Sequence, residues 1–231
     1  MPIHTYFTIF ILGASTASLL GVVAHDLPLG DHRTTRRLAC PHCHTQHRAP
    51  ILSYLLQKGR CRTCLAHLSS FYPWIEITGG LLFIMPLFLP HDFSPLQLIH
   101  TWTFFSLLIT VTLTDLYYGL IPNQILISFG MAFLIMQPHL FSALIGFSLF
   151  LIAAHLGKWL FKKETLGGGD IKCYFVIGLA VELNILLFSI LASCLMALLY
   201  VLIVSKDKQA PIRFAPFIAL GVIIVMMISK I

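Results

Sequence analysis

The run from Leu183 to Val204 is almost wholly apolar and about as long as a helix must be to cross a hydrocarbon core, ~20 residues. Several other stretches of the chain read the same way. Charged residues make up only 10% of the sequence and hydrophobic ones 58%, against roughly 25% charged in a soluble domain. So little charge cannot cover a water-facing surface, and the chain reads as an all-α, polytopic membrane protein. A cleaved signal peptide fits the N-terminus poorly. Met1–Tyr6 has no basic segment, and the apolar run from Tyr6 to Ala24 is long enough to span.

Apolar windows and their punctuation predict about eight transmembrane helices. They are Thr5–Ala24, Tyr72–Leu89, Leu96–Thr114, Ile121–Gln137, Leu140–Phe161, Ile171–Val181, Leu183–Val204 and Phe214–Ile228. The sixth is short, and reads either as a broken or re-entrant element or as a segment joined to the seventh by a tight turn at Glu182 and Asn184. This divides the chain into a first span (residues 1–25), a loop (26–71) and a membrane domain (72–231).

Basic residues set the direction of the spans, because loops facing the cytoplasm are enriched in Lys and Arg. Arg33, Arg36, Arg37, Arg48, Lys58, Arg60 and Arg62 lie between spans one and two. Lys158, Lys162, Lys163 and Lys172 surround the link between spans five and six, and Lys206, Lys208 and Arg213 lie between seven and eight. Alternation puts all three loops on one face, the cytoplasmic one, with both termini outside. This asymmetry accounts for the +6 net charge without a nucleic-acid partner.

The first loop carries Cys40-Pro-His-Cys43 and Cys61-Arg-Thr-Cys64, with 17 residues between the pairs. Two such knuckles place four thiolates for one tetrahedral Zn2+, so the loop is expected to form a small zinc-ribbon-like element. A reducing cytoplasm disfavours the alternative of two disulfides. Four cysteines leave no open coordination position, which makes the expected role structural. Cys173 and Cys194 lie in apolar spans and read as small packing residues.

Ionisable residues at spans are functional candidates by default. Asp115 closes the third predicted span and Asp170 opens the sixth, so the topology places both at the cytoplasmic border. Two carboxylates sharing a site do not both ionise cheaply, and the pair holds one proton. An aspartic protease uses that arrangement to activate water and to protonate the leaving group. Gly167, Gly168 and Gly169 precede Asp170, offering close backbone approach and positive φ. Glu76, near the start of the second span, is a third acidic candidate. Taken singly, each of these acids also reads as an interface residue or a helix cap.

In order, the chain shows the two CxxC pairs, Ser53-Tyr54-Leu55 before Gly59-Arg60-Cys61-Arg62, and Tyr72-Pro73-Trp74-Ile75-Glu76 leading to Thr78-Gly79-Gly80. Asp115-Leu116 is followed by Ile121-Pro122, then come Gly167–Asp170 with Lys172 and, later, Arg213-Phe214-Ala215-Pro216-Phe217. In this ordered set the chain resembles the type 4 prepilin leader peptidases over nearly its whole length. The resemblance implies an aspartic peptidase of the bacterial cytoplasmic membrane that serves pilus, secretion or competence systems. It implies removal of the basic leader of prepilins or pseudopilins at the cytoplasmic face. Asp115 and Asp170 match the catalytic aspartates, with Glu76, Gly167, Gly169 and Lys172 as supporting or substrate-side residues. Many members also N-methylate the new N-terminus with S-adenosylmethionine. Here Gly21 stands where Asn is usual, Asp26 where Arg is usual, Asn123 where Asp is usual and Ala215 where Gly is usual. Gly21 and Asp26 adjoin the loop associated with methyl transfer, so that activity stays open while both aspartates are retained.

Two other classes compete. A transporter would use the same acids for ions or protons, but no inverted repeat is evident and the acids lie at span ends rather than mid-span. An inactive zinc-ribbon scaffold for pilus or secretion assembly would not need the two aspartates.

Overall fold

Backbone amides inside a bilayer find no water to bond, so an apolar chain satisfies them within helices. The computed structural model describes residues 3–27, 60, 63–64, 71–88, 94–136, 138–162, 166–203 and 212–229. Among the described residues the regular elements are eight α-helices and one short 3-10 helix, Met85–Phe88. The α-helices are α1 (Ile3–Asp26), α2 (Phe71–Ile84), α3 (Pro95–Tyr118), α4 (Asn123–Met136), α5 (Leu140–Phe161), α6 (Gly168–Ala180), α7 (Leu183–Ile203) and α8 (Ala215–Ile228). Each lies over one of the eight apolar windows. Four of them, α1, α3, α5 and α7, are long and apolar enough to cross a membrane, and the chain is a membrane protein. Helices α2, α4 and α8 are apolar but shorter. Large apolar side chains such as Phe7, Ile135, Phe141, Trp159 and Ile203 are exposed, which suits hydrocarbon and not water as the surrounding solvent.

The chain divides into two compact units, Met1–Pro90 and His91–Ile231. In the first, α1 packs along α2 through small residues. Gly13, Ala17 and Gly21 recur every fourth position and are buried, the spacing that lets membrane helices approach closely. A Cβ on Gly13 would lie 2.7 Å from the Gly79 carbonyl oxygen, and one on Gly79 would collide with the Ala17 side chain. Gly13 and Gly79 therefore leave room for the opposing helix, including the Phe83 side chain beside Gly13.

In the second unit, α3 supplies much of the core, with Phe104, Phe105, Leu107 and Thr110 almost fully buried. Its start is closed by a capping box, Ser94 with Gln97, and by Pro95 at the first positions. Its end is closed by Gly119 in the left-handed region, φ 66°. Helix α6 is the short sixth window. It ends at Ala180 and only Val181–Glu182 separate it from α7, so the link is as short as the tight-turn reading expects. The link takes in Val181 and Glu182 and not Asn184, which lies inside α7. Its last eight positions, Cys173 to Ala180, are buried except for Phe175, so α6 is a core helix inside this unit. Gly178 lies against the Ala143 backbone of α5, and Tyr174 stacks on Phe150 with ring centroids 3.9 Å apart. Helix α8 packs on α7 where Gly221 meets Ser189 and Ser193.

Candidate active site

Asp115 lies in the last turn of α3, which runs three residues beyond it to Tyr118 before Gly119 stops the helix. The side chain is buried, 7% exposed. Its Oδ2 accepts a hydrogen bond from the Ala215 backbone N–H at 3.0 Å. Ala215 opens α8, whose N-cap residue Phe214 makes no side-chain cap bond. Asp115 therefore serves as the acceptor that the first turn of α8 lacks, at the positive end of that helix dipole. Arg213 adds an electrostatic contact to the same carboxylate.

Asp170 is the third residue of α6 and is half-buried. Its carboxylate accepts the backbone N–H of Gly167, the N-cap residue of its own helix. That is the returning half of a capping box, with an acid at N3. Both carboxylates thus sit at helix N-termini, one at its own helix and one at another. They lie within electrostatic reach of each other and line the same cavity, about 960 Å³ in volume.

The glycines before Asp170 act by space and not by handedness. None of the three has positive φ, and Gly167 has φ −69° and ψ 136°, so the positive-φ expectation is corrected. A Cβ on Gly167 would stand 3.2 Å from Asp170 Oδ2, and one on Gly169 would stand 3.3 Å from Ile121 Cβ. Gly168 has nothing within 4 Å of such an atom. The requirement for close approach therefore falls on Gly167 and Gly169.

The other expected residues are distributed differently. Lys172 points to α4, donating from Nζ to Asn123 Oδ1 at 2.9 Å. Glu76 is buried on α2, 3% exposed, in the first unit. Cys40, Cys43 and Cys61 lie outside the described residues, and Cys64 is exposed. Among the described residues no group of three or more His, Cys, Asp or Glu is arranged to hold a metal ion. Cys173 is buried, as a packing residue should be, whereas Cys194 is exposed and lines the cavity. The sequence offered no signal for the Ala215 amide, because every residue but proline has a backbone N–H. Asn123 was visible as a departure, but its bond to Lys172 was not.

Residues 11–89 match the bacterial peptidase A24 N-terminal domain, and residues 102–202 match the Type IV leader peptidase family. The chain is similar to a prepilin leader peptidase/N-methyltransferase of Bacillus subtilis (strain 168), 35% identical over 231 residues, covering 94% of this chain and 91% of that protein. It is similar to a protein of the same name from Stutzerimonas stutzeri, 26% identical, covering 95% and 89%. The type 4 prepilin-like proteins leader peptide-processing enzyme of Escherichia coli O78:H11 (strain H10407 / ETEC) is 29% identical, with 80% and 73% covered. No solved structure matches the chain. With two family models falling one in each structural unit, and a relative alike along almost its whole length, the chain belongs to the Type IV leader peptidase family.

Proposed function

We propose that this protein cleaves the basic leader of type IV prepilins or pseudopilins at the cytoplasmic face of the bacterial inner membrane, using Asp115 and Asp170 as an aspartic dyad. The observation that carries the reading is the convergence of two carboxylates, from the end of α3 and the start of α6, on one cavity. In such a dyad the charged carboxylate takes a proton from water, and the water oxygen attacks the scissile carbonyl carbon. The protonated partner supports the carbonyl oxygen, and a proton passes to the departing nitrogen as the C–N bond breaks. Peptide and water become an acid and an amine, and no covalent enzyme intermediate is needed. The bonds from Ala215 and Gly167 hold the two carboxylates at backbone atoms, which pre-orients them for this work.

The eight-span topology, with the three basic loops on the cytoplasmic side, is part of the same proposal and sets the dyad where a leader would arrive. Cys40, Cys43, Cys61 and Cys64 hold one structural Zn2+ in it, by the spacing of their pairs. The relatives' names join an N-methyltransferase to the peptidase, and if this chain keeps that activity, S-adenosylmethionine is the donor and the new N-terminus the acceptor.

The test is co-expression with a candidate prepilin, reading leader removal and N-terminal methylation by mass spectrometry and zinc on the purified protein. Asp115→Ala and Asp170→Ala are each expected to lower cleavage by about 10³-fold or more while the protein still inserts. Cleavage retained in either variant would remove the dyad. Purified protein without zinc would remove the ribbon.

A further inference from the structure

Lys172 and Asn123 are 49 positions apart, yet the lysine Nζ donates to the asparagine Oδ1 at 2.9 Å. The bond joins Lys172, the fifth residue of α6 and just past its first turn, to the first residue of α4. A second contact runs beside it, since Gly169 faces Ile121 so closely that a Cβ there would stand 3.3 Å from Ile121 Cβ. Residues 169 and 172 are three apart and share one face of α6. That face rests on the 121–123 segment, by an apolar contact at one position and a polar one at the other.

Asp170 lies between the two contacts, turned by about 100° from Gly169 around the helix. The rotation of this first turn therefore decides where its carboxylate points. Gly167 bonds the carboxylate from within the same turn, so it moves with Asp170 and does not fix the turn to a neighbour. The 121–123 segment provides that outside reference. Asn123 and Lys172 are both exposed, so the bond between them is poorly placed to hold the fold together. Its effect belongs in the geometry of the dyad, where a misplacement of about 1 Å can cost on the order of 10²-fold in rate.

We infer that Asn123 is a positioning residue for Asp170, acting through Lys172 to set the rotation of the first turn of α6. The inference rests on the peptidase reading above. Its test uses the full chain in proteoliposomes with a purified prepilin, measuring kcat and KM separately. Asn123→Ala is expected to lower kcat about tenfold and to leave KM within about twofold. Lys172→Met should do the same, and the double variant should be no worse than the poorer single one, because both remove one bond. Asn123→Asp keeps an oxygen acceptor at the same reach and should recover most of the lost rate.

A wild-type kcat in Asn123→Ala overturns the inference, as does a loss seen only in KM. An Asn123→Asp variant as slow as Asn123→Ala also overturns it, because the acceptor is then not what matters. A wild-type protein that cuts no prepilin instead sinks the peptidase reading, and the two failures stay distinguishable.

Discussion

At the scale of single residues, the carboxylates were legible because charge is scarce in this chain and both fall at span ends. What surrounds them was less so. Three adjacent glycines look equivalent in sequence, yet a Cβ would press on Asp170 Oδ2 from position 167 and meet open space at 168. Gly167→Ala is therefore expected to lower kcat about tenfold by displacing the carboxylate a few tenths of an ångström. Gly168→Ala should slow cleavage far less. Kinetics of the two variants side by side check this, and equal losses would show that the turn needs flexibility and not space. Cys194 was misread for a related reason. When a helix is apolar on every face, its sequence does not say which residues meet protein, lipid or a cavity.

At the scale of elements, apolar windows located the eight described α-helices within a few residues, because length and hydropathy are what a bilayer selects. Ends were sharper where a residue forces them, as Gly119 does after α3. Closeness between helices was less readable, since glycine signals it only when a neighbour arrives. Gly178 of α6 has such a neighbour, the Ala143 backbone, whose Cα would lie 2.6 Å from an added Cβ. A backbone atom cannot rotate away, so Gly178→Ala is expected to destabilise the protein by about 1–3 kcal/mol. Gly130 of α4 has only Val176 Cγ2, at 3.7 Å, and Gly130→Ala should be neutral or stabilising by up to about 1 kcal/mol. Denaturation of the detergent-solubilised variants measures both. Equal stability of the two would disprove the packing argument.

At the scale of the whole molecule, the family models and the structural division agree on two parts, one ending near residue 90 and one beginning just after it. Both aspartates belong to the second part, and the cysteine knuckles fall in the sequence of the first. The hydrogen bond from Ala215 to Asp115 spans 100 positions of chain and comes from the last helix described. During synthesis, then, the ribosome completes both aspartates long before it completes the support of one of them. A nascent chain would carry both acids with Asp115 still lacking this bond until the Ala215 helix had followed. A protein shortened to residue 211 is expected to keep both acids, to insert, and to cleave at least about tenfold more slowly than the full chain. Full activity in that shortened protein would show that the last helix is dispensable. Otherwise, the two acids reach their full strength only once a helix made a hundred residues after the first of them has arrived.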